Sequence, residues 1–117
     1  MSSLDIEQIE RVLVVRVNED VDAANAPATL QQLDDALGPD ALSLVIDLSA
    51  TRYVDSAGID MLLRLNDRLD HRRAKLILVI PDASQLKRLV ALVGLPEAIT
   101  IHSNLANALQ GAAETQA

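Results

Sequence analysis

The sequence predicts an α/β fold, a mixed and mostly parallel sheet of five strands with about four helices, in the order ββαβαβαβα. Two short runs, Leu42-Ser43-Leu44-Val45-Ile46-Asp47-Leu48 and Leu76-Ile77-Leu78-Val79-Ile80, are apolar on both faces and end in turn-forming residues. Strands in the middle of a covered parallel sheet have that character. A stretch with apolar residues at helical spacing separates the two runs, and others precede the first and follow the second. Strands joined by single helices run parallel, with right-handed crossovers.

Along the chain, residues 4–9 alternate weakly, and Val12 to Val17 is a β-branched run after the polar pair Glu10-Arg11. This predicts a hairpin that supplies the antiparallel edge. A helix is expected over 23–37, where Leu30, Leu33 and Leu37 recur at helical spacing. Pro27 is tolerated near its start, and Gly38-Pro39 stops it. The central strand at 42–48 leads to a helix over 57–73, with Ile59, Leu62, Leu65 and Leu69 on one stripe and Asp60, Arg64, Asp67 and Arg68 largely opposite. Pro81-Asp82 closes the strand at 76–80, and Leu86, Leu89, Val90 and Val93 mark a helix that Gly94 ends. Ile99-Thr100-Ile101 is a short final strand, and Ser103 is expected to cap a last helix carrying Leu105, Ala108 and Leu109. One domain is expected over 1–110, with a flexible tail over 111–117 and no internal repeat or linker.

Composition restricts function. Half of the 117 residues are hydrophobic, enough for one ordinary core, and Tyr53 is the only aromatic. Base stacking and an aromatic ligand cage are thereby disfavoured. The net charge is −7, and eight arginines and two lysines are dispersed, so nucleic acid and anionic membranes are repelled. The absence of cysteine excludes disulfides, thiolate metal sites and thiol catalysis. The N-terminal residues lack a basic segment followed by an apolar one, and no run approaches the roughly 18 to 20 apolar residues that span a bilayer. The expectation is a cytoplasmic monomer or weak dimer that inserts in no membrane, carries no cofactor and binds a protein partner.

Sites in open α/β folds gather at the carboxyl ends of the strands. That edge collects Asp22 and Asn25 after the second strand, Thr51 to Gly58 after the third, Asp82 and Ser84 after the fourth, and His102 after the fifth. Ser56 lies in the middle, at a helix start. There it either caps the helix, contributing about 1 kcal/mol, or accepts a phosphate that the free helix N–H groups favour. Phosphorylation adds roughly −1.5 to −2 charges, beside Asp55 and Asp60. Gly58 either weakens the helix or, lacking a side chain, gives a partner access to the serine. Met61 and Leu65 belong either to an apolar partner surface beside Ser56 or to the core, and the burial of Met61 decides between them.

The stretch Leu44-Val45-Ile46-Asp47-Leu48-Ser49-Ala50-Thr51-Arg52-Tyr53-Val54-Asp55-Ser56-Ala57-Gly58-Ile59 resembles the signature of STAS domains, specifically bacterial anti-sigma factor antagonists. Val21-Asp22-Ala23-Ala24-Asn25-Ala26 and Leu92-Val93-Gly94-Leu95 extend the resemblance over nearly the whole chain. The resemblance implies that Ser56 is the phosphorylated serine, that Asp55 and Gly58 are its signature neighbours, and that Asp22 lies near the partner surface. With them Asn25, Thr51, Ala57, Met61 and Asp82 form the expected partner and kinase interface. It further implies a protein that, unphosphorylated, sequesters an anti-sigma factor serine kinase and frees a sigma factor. Phosphorylation releases the complex and a serine phosphatase resets it, so the chain is a ligand and a substrate and not an enzyme. Two positions depart from the family pattern. Arg72-Arg73-Ala74-Lys75 replaces a frequent glycine turn, and Ala57 replaces a frequent second serine, leaving Ser49 and Thr51 as nearby alternative hydroxyls.

Other functions fit less well. A hydrolase triad needs a histidine near Ser56, but His71 lies about 22 Å along the same helix and His102 about 10 Å sideways across the sheet. No Gly-x-Ser-x-Gly elbow is present. A phosphoacceptor-aspartate receiver needs paired acids after the first strand and a lysine after the last, whereas the only lysines are Lys75 and Lys87. A STAS adaptor or scaffold subunit of a stress-signalling or lipid-transport complex is the alternative within the fold.

Overall fold

The computed structural model describes residues 3–116. The elements in chain order are β1 (Leu4–Ile9), β2 (Val12–Val17), α1 (Ala26–Ala36), β3 (Ser43–Asp47), α2 (Ser56–His71), β4 (Lys75–Val79), α3 (Gln85–Leu92), α4 (Leu95–Ala98), β5 (Thr100–His102) and α5 (Leu105–Gln116). The sheet runs β1-β2-β3-β4-β5; β1 is antiparallel to β2, and the remaining pairs are parallel. This is the expected mixed sheet with its antiparallel edge.

Each crossover moves one strand in the same direction, so a common right hand places all the crossover helices on one face of the sheet. Strand alternation then sorts the apolar residues. Leu13, Val15 and Val17 of β2 share the larger core with Leu44, Ile46, Leu76 and Leu78, against Leu33 of α1, Leu62 and Leu65 of α2 and Leu86 of α3. The intervening residues Val12, Val14, Val45, Ile77 and Val79 point the other way, onto Ala108 and Ala112 of α5. Among the described residues, helix α5 alone closes the second face, which is why the central strands read as apolar on both sides.

The helices depart from expectation in three places. Gly94, in the left-handed region at φ 74°, does more than end α3: it turns the chain into a further short helix, α4, with Pro96 in its first turn. The observed order is ββαβαβααβα. Helix α1 begins at Ala26, because residues 22–25 are wound into a side-chain-bonded turn. The last helix is capped by Asn104, whose Oδ1 accepts the Asn107 N–H at 2.8 Å, and not by Ser103. It also passes the boundary expected at residue 110: α5 is helical through Gln116, and Ala112 is buried against the sheet. Ala117 lies outside the described residues.

The turn after α2 accommodates the missing glycine. Arg73 takes φ 59°, the Ala74 N–H donates to Leu69 O at 2.8 Å, and the Arg73 N–H donates to Asp70 O at 3.0 Å. This double closure is a Schellman ending with an arginine at the left-handed position where glycine is favoured. The turn geometry is therefore kept, at a local conformational cost.

Candidate functional site

Two loops at the carboxyl edge of the sheet, residues 18–25 after β2 and 48–55 after β3, are bonded to each other along their length. Asp20 Oδ1 accepts the N–H of Arg52 at 2.8 Å and of Tyr53 at 3.1 Å. Val21 and Val54 form an isolated parallel bridge, in which the Val21 N–H donates to Tyr53 O and the Asp55 N–H to Val21 O, both at 3.0 Å. Thr51 is buried, and its Oγ1 lies 3.1 Å from both Val17 O and Glu19 O. Gln85, the first residue of α3, donates from Nε2 to Arg52 O at 3.1 Å. Such bonds satisfy loop backbone groups that neither strands nor helices serve.

Asp55 is the N-cap of α2. Its Oδ1 accepts the Gly58 N–H at 3.0 Å, and its Oδ2 accepts the Ala23 N–H of the facing loop at 3.1 Å. One carboxylate thus starts the helix and ties it to the turn before α1. Asp55→Ala should lose the cap and release the Ala23 N–H, destabilising the fold by about 1–2 kcal/mol. Urea unfolding checks this, and Asp55→Asn is expected to retain part of the loss.

Because Asp55 takes the cap, Ser56 is the first helical residue, exposed, and its hydroxyl makes no hydrogen bond among the described residues. The capping role considered for Ser56 therefore belongs to Asp55. The two alternative hydroxyls are engaged: Thr51 as described, and Ser49 through Oγ donating to Asp47 Oδ1 at 2.5 Å.

Gly58 is buried, and its missing side chain faces the protein. An added Cβ would lie 2.3 Å from Val54 Cγ1 and 3.1 Å from Val21 Cγ1. The expected access role is corrected: the glycine lets α2 press onto the Val21–Val54 bridge. Thr51 is likewise an internal clip and not a contact surface. Met61 is 5% exposed and packs in the larger core, where it also lines a groove between α1 and α2, and Leu65 is fully buried beside it.

Asp22, Asn25 and Ala57 remain near Ser56. Asp22 is exposed, and its Oδ1 accepts the Ala24 N–H at 2.9 Å. Asn25 Oδ1 accepts the Asp22 N–H at 2.9 Å, while its Nδ2 donates to Glu19 Oε1 at 2.7 Å and Asp20 O at 2.8 Å. Ala57 lines a groove of about 310 Å³ between α1 and α2, with Ala23, Pro27 and Leu30 on one wall and the ion-paired Asp60 and Arg64 at its rim. Asp82 lies apart, bonded to Lys87 Nζ at 2.8 Å in a recess between α3 and α4 with Ser84 and Arg88.

No histidine reaches Ser56. His71, at the far end of α2, lies 2.7 Å from Asp67 O through Nδ1. His102 pairs with Val79 on the α5 side of the sheet, its ring against Gly111, so β4 and the plane of the sheet separate it from Ser56.

The sequence alone does not mark Asp20 or Tyr53 as site residues. The acidic run Glu19-Asp20 before Val21 was the available signal for Asp20, since aspartate readily accepts backbone N–H groups, but its acceptor role spans 32 residues.

Comparison with known proteins bears on the family and the fold. The family model for the STAS domain matches residues 3–108. The anti-sigma-F factor antagonist RsfB of Mycobacterium tuberculosis is 26% identical over 100 residues, covering 86% of this chain and 80% of RsfB. The crystal structure of an anti-sigma factor antagonist from Mycobacterium paratuberculosis superposes with a TM-score of 0.82 at 27% identity, over 93% of this chain and 92% of that one. The Bacillus cell fate determinant SpoIIAA, solved in its phosphorylated form, shares the fold with a TM-score of 0.63 at 16% identity, over 86% of this chain and 92% of that one. Among the described residues, no helix is long and apolar enough to cross a membrane.

Proposed function

The chain belongs to the STAS domain family, and from that premise we propose that it is an anti-sigma factor antagonist switched by phosphorylation of Ser56. Unphosphorylated, it binds an anti-sigma factor that is also a serine kinase and so frees a sigma factor. Transfer of the ATP γ-phosphoryl to Ser56 Oγ dissolves the complex, and a serine phosphatase restores it. In this cycle the chain is substrate and ligand, acting in the cytoplasm, and the chemistry belongs to its partners.

The observation that carries the reading is the state of Ser56. It is an exposed, unbonded hydroxyl on the first residue of α2, set on two loops that are fixed to each other. The first turn of a helix offers backbone N–H groups to an anion, so the modified side chain has favourable local surroundings. Ala57 and the groove it opens, with Asp22 and Asn25 beside it, supply the partner surface. Asp82, in its separate recess, belongs to the same surface only where the partner reaches across α3. The net charge of −7 favours a partner with a basic approach face.

The test is incubation with anti-sigma factor kinases of the source organism and ATP, followed by mass spectrometry. The expected product carries one phosphate on the peptide containing Ser56, and Ser56→Ala remains folded, unlabelled and able to bind. A phosphate on another residue contradicts the switch. Binding without phosphorylation by any of these kinases favours the adaptor or scaffold role.

A further inference from the structure

Tyr53 is the only aromatic residue of the chain and is 52% exposed, although the core is otherwise built from aliphatic side chains. Its neighbour Val54 is 2% exposed and packs in the larger core, so the chain turns valine inward and tyrosine outward. The Tyr53 backbone is held at both polar groups, with its N–H donating to Asp20 Oδ1 and its C=O accepting the Val21 N–H. Arg52, on its other side, is fixed through its N–H to Asp20 and through its C=O to Gln85. A large amphipathic side chain is thus displayed on a stapled backbone, which lowers the ordering cost of burying it against another protein.

We propose that Tyr53 is the anchor residue of the partner interface: its ring enters an apolar cleft of the anti-sigma factor kinase that covers Ser56. The inference rests on the function proposed above. Three residues of extended chain span at most about 10 Å, so Tyr53 is within reach of a partner surface of ordinary size centred on Ser56. Tyrosine is enriched among the few interface residues that supply most of the affinity, because it buries a large rigid area with little rotamer entropy. The cleft that fits is aliphatic along the ring and offers a hydrogen-bond acceptor or water to the phenol at its end.

The chain contains one tyrosine, so labelling with 3-fluorotyrosine introduces a single fluorine resonance. Adding the unlabelled kinase that phosphorylates Ser56 should shift or broaden that resonance, and phosphorylation should return it to its free position. Tyr53→Ala should weaken the affinity at least 30-fold, Tyr53→Phe less than fivefold, and neither should move the urea midpoint, since the side chain is not part of the core. Tyr53→Ala affinity within threefold of wild type, or an unperturbed resonance in the saturated complex, overturns the proposal. If Ser56→Asp still weakens binding in that case, only the anchor falls. If the wild-type chain binds none of these kinases, the anchor and the proposed function fall together.

Discussion

Gly58→Ala is expected to destabilise the protein by about 3 kcal/mol, at the upper end of overpacking costs. Alanine is the better helix former by about 1 kcal/mol, so on an exposed helix the same change would stabilise. Here the new methyl would meet Val54 Cγ1 at 2.3 Å and Val21 at 3.1 and 3.3 Å. Both valines are buried, and the backbone bridge couples them, so neither can step aside alone. The steric term therefore decides the sign. Relief requires the first turn of α2 to move off the bridge, carrying Ser56 with it and stretching the Asp55 bonds to Gly58 and Ala23. Urea denaturation measures the loss. The double variant Gly58→Ala, Val54→Ala should show a favourable coupling of at least about 1 kcal/mol, because the two sites are in direct contact. A Gly58→Ala protein as stable as wild type would show that the close approach does not constrain the site.

The signature glycine shows where sequence reading stopped. A glycine two residues after an exposed serine looks like an opening for a partner, yet it packs on Val54, four residues before it, and on Val21, 37 residues earlier in the chain, and the bridge that joins those two valines is not visible in local sequence. Strands β3 and β4 were legible because covering the sheet from both faces forces continuous apolar runs. The stripe on α2 was legible because helical spacing is local. The Asp20 and Thr51 bonds were not, since each joins two loops more than 30 residues apart in sequence. Spacing alone leaves Met61 on either side of the helix stripe, and it lies in the larger core while also lining the groove between α1 and α2. The extent of α5 is hidden in the sequence for a similar reason. Gly111 and the small residues after it looked like an unstructured tail, yet a small residue is what lets α5 lie on His102.

Phosphorylation of Ser56 is expected to weaken partner affinity at least about 100-fold, or roughly 2.7 kcal/mol. Two electrostatic effects oppose each other. Added negative charge on a chain of net charge −7 strengthens attraction to a basic partner at long range, but that attraction is screened within about 8 Å at physiological salt. At contact, the phosphate brings −1.5 to −2 charges into a surface that fitted a neutral hydroxyl. Withdrawing one ion from water costs several kcal/mol unless cations are already placed to receive it. A kinase site also holds the phosphates of its nucleotide opposite the acceptor hydroxyl, so the product phosphate faces charge of its own sign. The short-range terms exceed the screened long-range gain. Ser56→Asp should reproduce part of the effect, since one carboxylate has less charge and fewer acceptor oxygens than a phosphate.

The most direct test is a calorimetric titration of the anti-sigma factor kinase with two preparations of the chain, one unmodified and one fully phosphorylated on Ser56, in the same buffer and salt. The unmodified chain is predicted to bind and the phosphorylated chain to lose at least 100-fold in affinity while keeping its unfolding midpoint. Equal affinities for the two preparations would contradict the switch.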